Sequence, residues 1–473
     1  MSKASRLSQP NFVFISTDQQ RYDTLGCTGS PVARTPHLDR LAAEGVLFHS
    51  CYTTNPVCMP ARASWFTGQY PSHHGCWQNG VPLDQQADMI QSRLKATGYH
   101  TALIGKIHLD NVWLRKEPHP PYGFELLREC EGDPYCKDEY FQWLDAQGLY
   151  EGYMAQFKKE GHKAGYTRDL PEDKHMNNWI AGHVEDYFRE RAADRRPFFL
   201  SVGFFDPHHP FDPCEPYASM FRADDMPMPI FADEERATMT PLAREKRERE
   251  EAFCRDPSRI RQTIAAYHAT ITHVDAMVGR LMRALDATGL QDNTVVIFTS
   301  DHGELLGDHG LIHKGPFFYE NSIRVPLIWR FPARLGVRGV DRDFTSHVDL
   351  APTVARLAGV SAPHLAQGAP LFGDDLRLRC APARDAALTE WREKRFQSDE
   401  PFLVARCLVT CEWKYVHYLG RDFGELYDRR NDPHEFRNLW ADPPHQPVVR
   451  DMQDRLLRFI LESEPCPART DIF

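Results

Sequence analysis

Four short runs constrain this chain more than anything else in it: NFVFIST (11–17), PFFLSVGFF (197–205), NTVVIFTS (293–300) and VPLIWRFP (325–332). Each is nearly continuous in apolar, β-favouring residues. A strand with one wet face alternates apolar and polar residues. A strand covered on both faces does not, and such strands belong to sheets sandwiched between helices. Helical patterns lie between the runs. Leu38, Leu41, Ala42 and Val46 recur at helical spacing behind Thr35-Pro36, and MIQSRLKATGYHTALIGK carries a helix stopped by Gly98 and then a strand. Residues 258–287 place Ile264, Ile271, Val274, Val278, Leu281 and Leu285 mostly at three- and four-residue intervals, ending at Gly289. Alternating strands and helices predict a doubly wound α/β domain over residues 1–385. Within it, 117–174 is rich in Pro, Gly, Tyr and charge and reads as an insertion or lid with little regular structure. From residue 386 the pattern alternates and carries turn signals. It predicts a smaller α+β subdomain, 386–473, with an antiparallel sheet and a terminal helix near 447–462.

The net charge of −10 over 473 residues argues against nucleic-acid binding. No run is apolar enough for a membrane helix, and the first residues lack the apolar core of a signal peptide. The expectation is a cytoplasmic protein, or one whose export signal is missing from this sequence. Twelve cysteines are scattered without zinc-type spacing, which makes reduced, buried thiols the default.

Asp18 and Asp301 each follow the carboxyl end of an apolar run, where ligands bind in open α/β sheets. Gln19 and His302 come next. Two carboxylates, a carboxamide and an imidazole suit Ca²⁺, Mg²⁺ or Mn²⁺ better than zinc. One such aspartate alone would be a turn former or helix cap.

The segment NPVCMPARASWFTG (55–68) carries Cys-x-Pro-x-Arg followed by Ala-Ser and Thr-Gly, and it resembles the signature of the formylglycine-dependent sulfatases. STDQQRYDTLGC, TGYHTALIGKIHL, PFFLSVGFFDPHHPF, SDHGELLGDHGLIHKGPFFYENSIRVPLI and ELYDRRNDPHEFRNL are similar to further segments of that family, in the same order. The resemblance implies an alkaline-phosphatase-like fold and a sulfuric ester hydrolase. It implies that Cys58 is converted to Cα-formylglycine by a maturation enzyme that reads Pro60 and Arg62. A hydrated aldehyde has two hydroxyls on one carbon: one attacks sulfur, and the other loses its proton as the aldehyde reforms and sulfate leaves. Asp18, Gln19, Asp301, His302 and the modified Cys58 match the ligands of one divalent metal, calcium foremost and magnesium or manganese as alternatives. Arg62 matches the residue that steadies the hydrate. Lys106 matches the residue that bridges hydrate and sulfate, and His108 the base that takes the second hydroxyl's proton. His208 and Lys314 match the pair that binds sulfate and protonates the leaving oxygen. Asn79 matches a polar substrate contact.

The Asp-Gln and Asp-His pairs also occur in relatives that hydrolyse choline sulfate, glycan sulfates, phosphonate monoesters and phosphodiesters. The phosphonate enzymes tend to carry Tyr and Thr where Lys106 and His108 stand, so Lys-x-His favours sulfate. The alternatives are a phosphonate monoester or phosphodiester hydrolase, and a noncatalytic metal- and anion-binding homologue. The expected partners are a small aryl, choline or sugar sulfate and the maturation enzyme, with a homo-oligomer through the C-terminal segment left open. Trp65, Trp77, Trp113 and Tyr122 are candidates for an aromatic wall or for plain packing. His73, His74, His209, His309 and His313 lie near the motifs without an assigned role.

Overall fold

The computed structural model describes residues 9–111, 119–161, 165–378, 384–394 and 402–464. Among them, β1 (Asn11–Thr17), β2 (Val46–Tyr52), β3 (His100–Gly105), β4 (Leu126–Glu129), β5 (Phe198–Gly203), β6 (Thr294–Ser300), β7 (Arg324–Val325), β8 (Leu327–Arg330) and β9 (Gly339–Ser346) form one mixed sheet. The order β4-β3-β5-β1-β6 is parallel throughout. β8 then runs antiparallel to β6 and to β2, β7 continues that pairing along β2, and β9 lies parallel to β2.

The helices are α1 (Pro36–Ala43), α2 (Cys58–Thr67), α3 (Pro71–His74), α4 (Ile90–Ala96), α5 (Glu139–Ala146), α6 (Tyr150–Glu160), α7 (Met176–Asp194), α8 (Pro241–Cys254), α9 (Pro257–Ala287), α10 (Glu320–Ile323), α11 (Leu350–Ala358) and α12 (Gln446–Ser463). They cover both faces of the sheet, which is why its central strands read as unbroken apolar runs. Val13 and Ile15 of β1 pack in one core with Leu38 of α1, Val184 of α7 and Val278 of α9. Phe12 and Phe14 point the other way, into a core with Met59 and Phe66 of α2, Leu94 of α4 and Val354 of α11.

Two expectations change. Val46 belongs to β2, not to the helix before it. α1 stops at Ala43, and a side chain at Gly45 would sit 2.3 Å from the Trp329 carbonyl oxygen, so the chain must pass tightly onto the sheet there. The 117–174 stretch is more regular than its composition suggests. It contains β4, α5 and α6, and the apolar sides of the two helices bury Phe141, Leu144, Tyr153 and Phe157 in the first core. Trp113 lies outside the described residues.

The second sheet is antiparallel, β10 (Ala386–Glu393), β11 (Leu403–Thr410), β12 (Trp413–Tyr418) and β13 (Gly424–Asp428) in sequence order. It docks beside the approach to α2: Thr389 Oγ1 donates to Thr53 O (2.7 Å) and Glu390 N to Thr54 O (2.8 Å). Lys414, fully buried, bonds Glu320 (3.0 Å) and Glu435 across this junction. α12 lays Val449, Met452 and Leu456 on Leu408, Tyr415 and Leu426. Among the described residues no helix is long and apolar enough to cross a membrane.

Candidate active site

Register brings the site together. Thr17 of β1 pairs with Ser300 of β6, so Asp18 and Asp301, one residue further on, leave the sheet side by side. β3 and β5 end together at Gly105 and Gly203, where a side chain on Gly105 would meet the Gly203 carbonyl oxygen at 2.0 Å. Only glycine permits that approach, and Lys106 N then bonds Gly203 O (2.8 Å) as the chain turns toward Asp18. Cys58 opens α2, where the helix dipole favours negative charge. Asn79 lines the cleft, and its Oδ1 accepts from Met59 N (3.0 Å) and so caps the helix that begins at Cys58.

Cys58, Asp18, Asp301 and His302 are buried, and their candidate ligand atoms all lie within 4.8 Å of one another. Cys58 Sγ is 3.5 Å from Asp18 Oδ1 and 3.3 Å from His302 Nε2. His302 Nε2 lies 3.7 Å from an oxygen of each aspartate, and its Nδ1 is 2.9 Å from Gly303 O. Gln19 Oε1 is buried without a hydrogen-bond partner. The two carboxylates and the carboxamide suit a hard divalent cation, whose oxygen ligands on opposite sides are about 4–5 Å apart, and the Cys58 thiol is the one soft donor among them. A carbonyl oxygen left unpaired in a buried site is the observation that a metal would explain.

Cations converge on the same point. Arg62 Nε is 2.9 Å from Asp301 Oδ2, and its Nη2 is 3.3 Å from Asp18 Oδ2. Lys106 Nζ is 2.8 Å from Asp18 Oδ2, and Lys314 Nζ is 3.1 Å from Cys58 Sγ and 3.9 Å from Asp18 Oδ1. Burial alone would raise the Asp18 pKa, but Lys106, His208, Lys314 and Arg62 hold it well below the usual carboxylate range. Burial, and then Asp18 itself, push Asp301 up. Burial and Asp18 also oppose a Cys58 thiolate, yet Lys314, His302 and His108 outweigh them and hold the thiol well below its ordinary value. Against burial, Asp18 and Cys58 raise Lys106. Burial and Lys314 push His208 down to about 4.

The cleft above these groups holds about 450 Å³. Lys106, His108 and His208 line it, with Phe205, Phe157 and the 131–134 segment. Of the candidates for an aromatic wall or for plain packing, the three described ones pack. Trp65 packs on Phe14 and Phe66, and Tyr122 is buried with its hydroxyl bonded to Leu83 O and Leu109 O. Trp77 packs edge-on against Phe402. Phe205, 4.7 Å from Lys106 Nζ, and Phe157 are the phenyl rings that line the cleft.

Sequence patterns did not single out the supporting residues. Glu131 Oε1 accepts from Ile107 N and His108 N (both 3.0 Å). Tyr267 OH, 246 positions from Arg21, donates to Gln19 O (2.7 Å) and accepts from Arg21 N (3.0 Å). Against burial, His313 helps hold Glu304 down at about 2. The ring of His209 stacks on His208 (4.1 Å) and lies 4.2 Å from that of His313. His74 instead bonds Ser64, and His309 stacks on Tyr319.

A largely parallel sheet within a mixed one, helices on both faces, and a charged pocket at the carboxyl edge are the features of a hydrolase of the alkaline phosphatase superfamily. Within that class the family profile described as Sulfatase matches residues 10–360, and the chain belongs to the sulfatase family. A second profile, described as N-sulphoglucosamine sulphohydrolase, C-terminal, matches 307–462. The chain is 32% identical to the multifunctional alkaline phosphatase superfamily protein PehA of Trinickia caryophylli, over 96% of each chain. It is 31% identical to an arylsulfatase of Clostridium perfringens, covering 91% of this chain and 90% of that one. A solved phosphonate monoester hydrolase of Agrobacterium radiobacter superposes with a TM-score of 0.82 at 28% identity, covering 96% of each.

Proposed function

We propose that the protein hydrolyses a sulfate monoester, with Cys58 converted to formylglycine and one divalent cation, calcium foremost, held by Asp18, Gln19, Asp301, His302 and residue 58. The cation and the aldehyde hydrate together supply an activated oxygen nucleophile at neutral pH. The remaining work falls to the chain's own side chains. Arg62, bonded to both aspartates, fixes their spacing. Lys106 and Lys314 face the anionic oxygens. His108 has a buried, unpartnered Nδ1 and a backbone N–H clamped by Glu131, and it is the proton acceptor. His208 Nδ1 sits 2.6 Å from His209 O and is held as N–H by that carbonyl, while burial keeps the ring neutral. Lys314 is therefore the proton source for the leaving oxygen.

The observation that carries this reading is Lys106, buried, with its ammonium 2.8 Å from Asp18 and lining the cleft. Sulfate monoesters and phosphonate monoesters carry the same single charge, so charge does not distinguish them. A sulfate monoester presents three non-bridging oxygens. A phosphonate monoester presents two, with carbon in the third place. With the cation and Lys314 each taking one oxygen, Lys106 would be the third positive group: it has an acceptor in sulfate and faces an organic group in phosphonate. Rates on matched aryl sulfate and phenylphosphonate esters, measured with fully matured enzyme, test this. A higher kcat/KM for the phosphonate would overturn it.

The second reading, a phosphonate monoester or phosphodiester hydrolase, draws on the 0.82 TM-score with the phosphonate monoester hydrolase and on the PehA relative. The same measurement separates the two. Peptide mass spectrometry of residue 58 from native-host protein tests the formylglycine; an intact cysteine there would favour the noncatalytic alternative.

A further inference from the structure

Gln19 is an amide where a carboxylate would need no orienting. A carboxylate offers an oxygen whichever way it turns, whereas a flipped carboxamide offers N–H groups, which cannot bind a cation. Something must fix the flip. Gln19 Nε2 donates to Glu304 Oε2 and lies 3.2 Å from His209 Nδ1, so its two amide hydrogens have two acceptors on one side. His209 Nδ1 accepts in the tautomer that carries its proton on Nε2. Oε1 is left on the opposite side, buried and without a partner. The flipped amide would press Oε1 against a carboxylate oxygen. Glu304 cannot swing away to accommodate it, because its Oε1 accepts from Leu306 N (2.8 Å) and His313 N. The Gln19 backbone is equally fixed: φ is +68°, N donates to Asp301 Oδ1 (2.9 Å), and O accepts from Tyr267 OH (2.7 Å).

We infer that Glu304, assisted by His209, is the positioning residue that turns the Gln19 carbonyl toward the cation. The inference rests on the reading of Gln19 as a ligand. It explains a buried acid that belongs to none of the assigned roles, and it makes residues 19 and 304 a coupled pair. In a Glu304→Gln variant the amide oxygen at position 304 can still accept from Leu306 N and His313 N. The new NH₂ then faces the Gln19 NH₂, and the relaxed arrangement flips Gln19 and withdraws its oxygen.

The test is Mn²⁺ binding alone, read by electron paramagnetic resonance on chelator-stripped protein, with thermal unfolding as the folding check. Glu304→Gln is expected to weaken Mn²⁺ about 10–100-fold, the usual range for losing an outer partner of a metal ligand. Gln19→Glu in the Glu304→Gln background is expected to restore binding, since one oxygen can accept from the amide at position 304 while the other faces the cation. Gln19→Glu alone sets two carboxylates against each other and is not expected to improve binding. Equal effects of Gln19→Glu in both backgrounds would show no coupling and overturn the inference. If Glu304→Gln does not fold, His209→Phe keeps a stacking ring but removes one acceptor. A severalfold loss then supports the inference, and unchanged binding overturns it. Gln19→Ala separates the two levels. Unchanged Mn²⁺ affinity there would remove Gln19 from the metal site altogether, whereas a loss there with none in Glu304→Gln would sink only the positioning role.

Discussion

Replacing Lys106 with methionine keeps the stem and removes the charge, and its effect should depend on the substrate. In the free enzyme the ammonium sits 2.8 Å from Asp18 Oδ2, is 4% exposed, and lies over Phe205. Truncating one member of a buried pair ordinarily costs about 3–5 kcal/mol, because the other charge is stranded. Asp18 is not stranded here, since Arg62 remains at 3.3 Å and Lys314 at 3.9 Å. The stability cost should therefore fall to about 1–3 kcal/mol, nearer that of one unsatisfied buried group. Catalysis should suffer more. Removing a preorganised donor from developing negative charge typically costs about 10²–10³ in rate, or about 2.7–4 kcal/mol. That loss applies to a sulfate ester, which offers Lys106 an oxygen, and much less to a phosphonate ester, which offers carbon. The assay is kcat/KM for matched aryl sulfate and phenylphosphonate esters on matured wild-type and Lys106→Met protein, with urea unfolding alongside. The ratio of sulfate to phosphonate activity should fall at least about tenfold, less than the full 10²–10³ of one lost donor because the phosphonate ester loses some rate as well. Equal losses on both substrates would refute the argument, because they would mean that Lys106 acts only through Asp18. A sulfate rate close to that of wild type would remove Lys106 from the reaction.

Three further outcomes follow from single groups. Cys58→Ala should abolish ester hydrolysis while leaving the unfolding transition cooperative, and turnover at the wild-type rate would exclude residue 58 as nucleophile. Burial and Arg168 push His175 down to about 3, whereas an unfolded histidine titrates near 6.5. The unfolded chain therefore binds a proton that the folded one refuses. This contribution is complete above about pH 6.5 and is lost as pH falls toward 3, by at most about 1.4 kcal/mol per unit. His175→Asn keeps an acceptor for Asn177 N and should flatten the acid limb of stability, measured in urea from neutral pH down through the histidine range. An unchanged slope would count against it. Lys414→Met leaves Glu435 without its buried cation, although Glu320 keeps Arg429 at 3.2 Å. It should cost about 3–5 kcal/mol in urea unfolding, and a change under about 1 kcal/mol would mean that the junction relaxes or takes up water.

The strands that could be read from sequence were those whose packing is the same on both sides. β1, β5, β6 and β8 are apolar on both faces, so their composition alone marks them. β2 and β9 were not legible. Half of β9 is exposed, and β2 begins three residues after α1, so that Val46 fits the helix period as well as the strand. Cys58 and Lys106 stood out only through the resemblance of their segments to a known family, whereas Asp18 and Asp301 were legible because each directly follows an apolar strand. Their spatial relation then follows from parallel register. Tyr267, Glu131 and Glu304 were not, since each acts through a hydrogen bond to another residue's backbone or amide and leaves no spacing pattern. Asn79 stood out by resemblance, but the local reason for its position is the cap on α2, which only the contact with Met59 N reveals.

Those supporting residues share one task. Gln19, His108 and His313 all have positive φ, 68°, 51° and 66°, a backbone region that costs a non-glycine residue about 1–2 kcal/mol. Gln19 O is held by Tyr267 of α9 and His108 N by Glu131 beyond β4, while His313 N is held by Glu304, nine residues earlier in the same stretch after β6. Strain of this kind persists only where the surroundings over-determine it, and it gathers at functional sites. The turns leave the Gln19 amide beside Glu304 and His209 and the His313 ring beside that of His209. Two of the three clamps are carboxylates fixed by backbone N–H groups. The polar surroundings of the pocket are therefore set before any substrate arrives, which is the condition under which fixed dipoles and charges stabilise a transition state without first reorganising.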